Sequence, residues 1–533
     1  MIKDKIRKNL EEAIKKTGFD LPKEIAILQP QNEEFGDYSS SVAMVLAKLE
    51  KQNPILVAEK ILKYLDIKKL NIYKDITVAK PGFINFFLSE KYLLDELSTI
   101  LKVKEKYGQG RIEKRNKINV EFISANPTGK LHVGHGRGAF YGDVLSNVLK
   151  KAGYDVTREF YINDAKNSKQ IKTLGEILHG QKNPYATEFV DKLIKDLGQT
   201  ENYWKTTQIG DAGFQLAEKI QLANREFIER DLGIHFDVWM SEQSLHDMGL
   251  PEKTMKWLNT IGLTYEKDEA LWMKTTKFGD DKDRVLMRKT GELTYFFADI
   301  MYHFDKFERG FDELVDIWGA DHHGYMERMQ AAVKAMEREG DLKIIITQLV
   351  RLISNGKEVK MSKRAGTVVN LDWLVKEVGL DATRFFFLMK SVETHMDFNL
   401  DLAKEQSKKN PVYYVQYAYA RISSIESRMS TNAFQATNTT NFGLLKEPAE
   451  FELIKILLKF PEIVADVSKN YEIQGLPVYA IAIADKFHNF YEKCRVLTED
   501  EELTEARLGL VEATRIVLGE TLDLMGIEKK TKM

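Results

Sequence analysis

Ile118 to Phe122 is a short apolar run that ends in Ser124-Ala125-Asn126-Pro127-Thr128-Gly129, where proline and glycine break both helical and strand periodicity. From about His135 to Lys151 the apolar residues Phe140, Val144, Leu145 and Val148 fall on one helical face, and Gly153 stops the pattern. Val156 to Ile162 then reads as a second strand. A strand, a loop, a helix and a strand at this spacing point to parallel pairing, with the helix as the crossover. The rhythm resumes with Thr294-Tyr295-Phe296-Phe297-Ala298-Asp299 and with Val315-Asp316-Ile317-Trp318-Gly319. The charged helices and short strands between, at about 165–290, are expected to be an insertion between two halves of one sheet.

The chain has 533 residues, too many for a single core, and about three domains are expected. Residues 1–110 read as an α+β unit. Ile6, Leu10 and Ala13 mark a helix face, Phe35-Gly36-Asp37-Tyr38 a turn, Val42 to Leu49 a helix, and Lys80-Pro81-Gly82 a turn feeding the strand Phe83 to Leu88. Tyr107-Gly108-Gln109-Gly110 reads as a linker to the parallel-sheet domain, 111–390. Residues 391–533 read as helical, with long patterns over Leu400–Ser424 and Phe451–Val464 and a surface loop over Asn432–Asn441. A net charge of −2 supplies no global basic field, so any nucleic-acid contact must come from local patches. The single cysteine, Cys494, excludes a disulfide framework and a thiolate metal site. The opening MIKDKIRKNLEE has no apolar core, and no run approaches the ~20 residues of a membrane helix. A cytoplasmic protein is expected.

Two motifs carry chemistry. In His132-Val133-Gly134-His135, Gly134 lets backbone approach a ligand closely, and the helix that follows offers free N–H groups and a positive dipole end. Two imidazoles three positions apart can donate hydrogen bonds to phosphate oxygens and stabilise charge growing at an attacked α-phosphate. Packed histidines in a turn, or a metal pair completed by Asp321, His322 or His323, are the alternatives. The Gly134, Gly136, Gly138 spacing lacks the Gly-Lys-Ser/Thr of a Walker loop. About 225 residues later, Lys360-Met361-Ser362-Lys363-Arg364 lies in a loop dense in cations and flanked by Gly356 and Gly366. Lys360 and Lys363 are flexible point charges able to reach a departing pyrophosphate, unless the loop is merely a solvated basic one.

Together these motifs resemble the HIGH and KMSKS signatures of class I aminoacyl-tRNA synthetases. The longer run Glu121-Phe122-Ile123-Ser124-Ala125-Asn126-Pro127-Thr128-Gly129-Lys130-Leu131-His132-Val133-Gly134-His135-Gly136-Arg137-Gly138 is similar to bacterial arginyl-tRNA synthetases. So are Tyr161-Ile162-Asn163-Asp164-Ala165 and Trp318-Gly319-Ala320-Asp321-His322-His323-Gly324. The departures are Val133 within HIGH and Arg364 at the last position of KMSKS; neither removes a phosphate-handling His or Lys.

The resemblance implies an α/β multidomain protein. Its parts are a Rossmann-type parallel-sheet catalytic domain with an insertion, a small α+β N-terminal domain touching the tRNA elbow, and an all-α C-terminal anticodon-binding domain. It implies arginine activation by ATP and Mg²⁺, with bound tRNA characteristically required even for that step, then transfer to the terminal adenosine of tRNA(Arg). The catalytic groups are His132, His135, Lys360 and Lys363, and ATP also meets Gly134 and Met361. Arginine carries a planar cation, which calls for carboxylates in bidentate geometry. The resemblance places Glu121, Tyr295 and Asp299 around the guanidinium and Ser124, Asn126 and His322 on the α-ammonium side, with His132 also against arginine. Asp299 as an exposed helical carboxylate and Tyr295 as core packing are the alternatives. No protein-held metal is expected, since Mg²⁺ arrives with ATP. In Pro411 to Arg421, Tyr413 and Tyr417 share one helix face, while Tyr414 shares another with Ala418 and Arg421. These rings either stack unpaired bases or bury a helix seam. Met533 is expected near the anticodon, and the molecule is expected to be a monomer.

Two rivals to a synthetase stand beside it. A small-molecule nucleotidyltransferase with the same HxGH turn has no use for the helical C-terminal third. A tRNA-binding paralogue without activity would have lost a motif His or Lys, and none is lost.

Overall fold

The computed structural model describes residues 1–30, 32–65, 71–110, 116–183, 185–359, 369–427 and 440–533. The N-terminal unit is α+β. Its antiparallel sheet has the order Ile27–Leu28, Tyr38–Ser40, Phe83–Leu88, Tyr73–Ala79. Helices Ile2–Thr17, Val42–Glu50, Pro54–Leu62 and Glu90–Val103 accompany it.

The middle domain is built on five parallel strands: β1 (Lys117–Glu121), β2 (Asp155–Ile162), β3 (Val238–Ser241), β4 (Glu313–Gly319) and β5 (Leu342–Thr347). Their order is β3-β2-β1-β4-β5, so the direction of strand addition reverses between β1 and β4. Ligands of open α/β sheets bind outside the carboxyl ends at such a reversal. Helix α1 (Val133–Ala152) crosses from β1 to β2 and ends at Gly153, whose φ of 103° suits glycine. Nearly all of α1 is buried. A Cβ at Gly142 would lie 2.3 Å from the Phe122 ring, so only glycine lets the helix settle this close to the end of β1.

Helix α2 (Tyr295–Glu308) covers the other face of the sheet. Its N-cap Thr294 accepts a hydrogen bond from the Phe297 N–H, so the 294–299 segment opens a helix. The expected insertion is interrupted. Val238–Ser241 pairs with β2 as the edge strand of the main sheet, and its four half-buried residues have no alternation that would mark them in sequence. One part of the insertion is helical, including Lys169–Leu178 and Ile209–Glu226; the other holds a small antiparallel sheet of Thr264–Lys267, Ala270–Met273 and Arg284–Met287.

Beyond residue 385 the chain is mostly helical, with one departure: Met396–Asn399 is a strand paired with Val350–Ser354. The Leu400–Ser424 pattern is two helices, Leu400–Lys404 and Pro411–Ser427. Phe451–Val464 likewise falls on two, Pro448–Leu457 and Phe460–Asn470, with Pro461 in the first turn of the second, where a missing N–H costs nothing. Most of the Asn432–Asn441 loop lies outside the described residues. Among the described residues no helix is long and apolar enough to cross a membrane.

Candidate active site

The end of β1 runs into a strained turn. Ile123 and Ser124 have φ of 67° and 37°, rare for side-chain-bearing residues and typical of functional loops held by their surroundings. The Ser124 hydroxyl accepts the Tyr161 backbone N–H at 3.1 Å, which ties the turn to the end of β2. Asn126 is exposed, and the chain then enters α1 through the two histidines.

Those histidines cap the helix. Nδ1 of His132 accepts the Gly134 N–H at 3.1 Å, and Nδ1 of His135 accepts the His132 N–H at 3.1 Å. The rings lie face to face with centroids 3.6 Å apart. Burial lowers the pKa of both, His135 to about 3 with the neighbouring His132 adding to the effect. Each ring is therefore neutral and carries its one proton on Nε2. The pair presents two N–H donors with no positive charge of its own, which suits phosphate oxygens. With both Nδ1 lone pairs engaged, the metal alternative loses one donor on each ring. Among the described residues no group of three or more His, Cys, Asp or Glu is placed to hold a metal ion.

Lys360, Met361 and Lys363 lie outside the described residues; the segments flanking 360–368 do not. On one side, Val350–Ser354 pairs with Lys357–Glu358. On the other, the Val133 N–H donates to the Val369 carbonyl and the Leu371 N–H to the Leu131 carbonyl, both at 2.9 Å. The segment that follows the second motif is thus held directly against the first. Arg137, buried one turn into α1, adds a clamp by donating to the carbonyls of Gln348 (3.1 Å), Ser391 (2.7 Å) and Thr394 (2.6 Å).

Beside the turn lies an acidic region. Asp316, Glu121 and Glu159 occupy one row across β4, β1 and β2. Helix α2 lays cations over this row. Lys306 Nζ donates to Glu121 Oε2 at 2.6 Å and Asp316 Oδ1 at 3.0 Å, and Arg309, which follows α2, pairs twice with Glu159 at 2.8 Å. His303 Nε2 meets Asp316 Oδ2 at 2.8 Å and its Nδ1 meets the Asp299 carbonyl at 2.7 Å. Burial opposes the charge on Asp316, but Lys306 and His303 outweigh it and hold that pKa below the carboxylate range. Glu121, which the resemblance places around the guanidinium, is buried and its Oε2 is engaged by Lys306. A lone lysine in a sequence reads as a solvated side chain, so this pairing had no signal there.

Nearer the carboxyl edge the carboxylates Asp299, Glu242 and Asp164 have no lysine or arginine paired with them among the described residues. Asp299 is half-buried and accepts the Tyr325 hydroxyl at 2.5 Å; burial raises its pKa against that bond. Glu242, directly after β3, is pushed up to about 8 by burial and by the charges of Asp299 and Asp164. Burial likewise raises Asp164, whose carboxylate accepts the Ser241 hydroxyl and the Gln243 N–H. Glu242 was missed because the strand that delivers it is itself hard to recognise. Tyr295 is 54% exposed and donates to Gln170 Oε1 at 2.9 Å, which rules out core packing. His322 is exposed, 3.6 Å from Asp321 and beside the Trp318 ring.

The tyrosine helix divides. Tyr414 donates to Asp485 at 2.7 Å and packs on His488; Tyr417 also lies against His488, and Arg421 sits over Tyr417 and Tyr491. These form a half-buried seam with the helix Gly475–Lys493. Tyr413 instead lines a cleft of about 870 Å³ with Asp381, Gln416, Glu528 and Lys530, and Met533 is exposed.

A dinucleotide-type sheet with a histidine-capped helix at its reversal point, held to the segment that begins at residue 369, follows the plan of a class I aminoacyl-tRNA synthetase. The model of the class I (R) tRNA synthetase catalytic domain matches residues 96–390, more than half of the chain. A methionyl-tRNA synthetase from Mycobacterium tuberculosis shares the plan at the level of fold: TM-score 0.52, 12% identity, covering 77% of this chain and 91% of that one. The chain belongs to the arginyl-tRNA synthetase family. The arginyl-tRNA synthetase N-terminal domain matches residues 4–88 and the DALR anticodon binding domain residues 415–533. Arginine–tRNA ligase 1 of Halalkalibacterium halodurans is 41% identical, and the arginine–tRNA ligase of Bacillus subtilis 40%, each over 100% of this chain and 99% of the relative. Thermus thermophilus arginyl-tRNA synthetase superposes with a TM-score of 0.80 at 22% identity, covering all of both chains.

Proposed function

We propose that this chain activates L-arginine with ATP, releasing pyrophosphate, and passes the arginyl group to the 2′-hydroxyl of the terminal adenosine of tRNA(Arg). The observation that carries the amino-acid assignment is the group of carboxylates Asp299, Glu242 and Asp164, gathered around Tyr161, whose backbone N–H is tied to Ser124 of the turn after β1. A buried Glu with a pKa near 8 is costly unless a cation arrives to share the site, and a guanidinium offers five donors in one plane.

The residues divide the work as follows. Asp299, Glu242 and Tyr295 face the guanidinium, with Glu121 behind them held by Lys306. Ser124, Asn126 and His322 take the α-ammonium, and His132 stands between arginine and ATP. The free N–H groups at the start of α1, Gly134 and the Nε2 donors of His132 and His135 receive the ATP phosphates. Lys360, Met361 and Lys363 close from the adjoining segment onto the pyrophosphate. The arginine carboxylate is already a nucleophile, so attack on the α-phosphate needs no general base, only alignment and donors for the growing charge. Mg²⁺ enters as part of the ATP substrate. The helical domain, through Tyr413 and the exposed chain end at Met533, receives the anticodon side of the tRNA; Tyr414, Tyr417 and Arg421 support that surface. The enzyme works as a cytoplasmic monomer.

ATP–pyrophosphate exchange with each amino acid, with and without tRNA(Arg), tests this reading. Arginine alone should support exchange, and only when tRNA is present. Exchange driven by glutamate, glutamine or cysteine overturns the specificity; exchange with none returns the chain to a binding role.

A further inference from the structure

Tyr161 lies among these carboxylates with a hydroxyl that has no partner among the described residues. It lies on β2 two residues beyond Glu159, so it shares the sheet face of the Asp316–Glu121–Glu159 row and sits one step nearer the carboxyl edge. Its ring stacks on Tyr302 of α2, centroids 4.1 Å apart and planes 22° apart. Tyr302 uses its hydroxyl, donating to Glu159 Oε1 at 2.7 Å. The Tyr161 hydroxyl finds no hydrogen-bond partner among the described residues, although the residue is only 6% exposed. A buried hydroxyl left unpaired costs about 1–3 kcal/mol, so a fold rarely keeps one unless a ligand completes it. The charged groups that bear on this hydroxyl are Glu242, Asp299, Glu121 and Asp164, the carboxylates of the pocket. Its backbone N–H, meanwhile, donates to Ser124 on the α-ammonium side.

We propose that Tyr161 is a specificity-determining residue for arginine, its hydroxyl oxygen accepting a guanidinium N–H that the carboxylates alone leave unpaired. The inference rests on the placement of arginine in this pocket. A phenol is suited to the position: it accepts from the cation without adding another negative charge to a site already crowded with them. A purely apolar residue there would pack equally well on Tyr302 and leave one guanidinium donor bare, and it would admit uncharged side chains of similar length.

Tyr161→Phe removes one unbonded oxygen and nothing else, so the variant should fold with an unchanged or higher melting temperature. The arginine KM should rise about ten-fold with the ATP KM within about two-fold of wild type. The inhibition constant of agmatine, which carries the guanidinium but no carboxylate, should rise in step. A folded Tyr161→Phe enzyme with unchanged arginine KM overturns the proposal, as does a KM increase that agmatine inhibition does not follow. Asp299→Ala, measured alongside, separates the two readings: if it also leaves the arginine KM unchanged, the pocket assignment itself is wrong; if it raises KM while Tyr161→Phe does not, only the role of Tyr161 falls.

Discussion

Each imidazole of the turn uses its two nitrogens for different purposes: Nδ1 builds the helix start, and Nε2–H is left for the ligand. The two roles can be separated. His132→Asn keeps an acceptor for the Gly134 N–H, since Asn caps helices as well as any residue, but takes away the outward donor. Its melting temperature should stay near wild type while adenylate formation falls by about 100-fold or more; normal turnover would make His132 a cap and nothing further. Glu242 gives a second test. With its pKa at about 8 it is mostly protonated at pH 7, and a guanidinium beside it would favour the ionised form. Arginine binding should therefore release protons near neutrality and tighten as pH rises from 6 toward 8. Titration calorimetry in buffers of different ionisation enthalpy reads that release directly, and proton uptake or no exchange would contradict it.

Helix α2 carries Tyr295 and Asp299 in its first half and the counter-ions His303 and Lys306 in its second, all on the side facing the sheet. The Tyr295–Asp299 spacing of four is legible in the sequence, because any helix brings such residues together. The service of Lys306 to both Glu121 and Asp316 is not, because their partnership depends on β1 and β4 being neighbours. Lys306→Met leaves buried Glu121 without its cation and Asp316 with His303 alone. It should destabilise the protein by about 3–5 kcal/mol in urea unfolding, the cost of breaking a buried pair from one side. A loss below about 1 kcal/mol, as for an exposed pair, would show that water reaches the network.

The whole molecule is joined by polar bridges as well as by a continuous apolar core running from the N-terminal unit through α1 into the helical domain. Glu462 of the helical domain accepts the Lys3 N–H (3.0 Å), the Gln29 amide (3.0 Å) and the Tyr38 hydroxyl (3.1 Å), all from the N-terminal unit. Lys455 pairs with Asp37 across the same boundary at 2.7 Å. Glu462→Leu strips three donors of their acceptor and should weaken the docking by roughly 1–3 kcal/mol, seen as faster proteolytic cutting in the segment between the N-terminal unit and β1. Unchanged cutting would assign the docking to the apolar contacts.

Local and periodic features are legible in the order of the residues. The strand, turn, helix and strand from Ile118 to Ile162 contain their own instructions, as do the glycine that stops α1 and the two motifs whose residue types suit phosphate. Those motifs also carried the family. Which buried charges meet depends on how the strands and helices pack. Glu121 is engaged by a lysine 185 positions away, Glu242 follows a strand too short to announce itself, and Tyr161 is left with a hydroxyl that no described residue satisfies. Periodicity reports which face of an element is apolar, but a carboxylate's partner and pKa depend on what the fold brings within a few ångströms of it. The two motifs were readable apart; the hydrogen bonds between residues 131 and 371 and between residues 133 and 369 bring the chain that follows the second against the first.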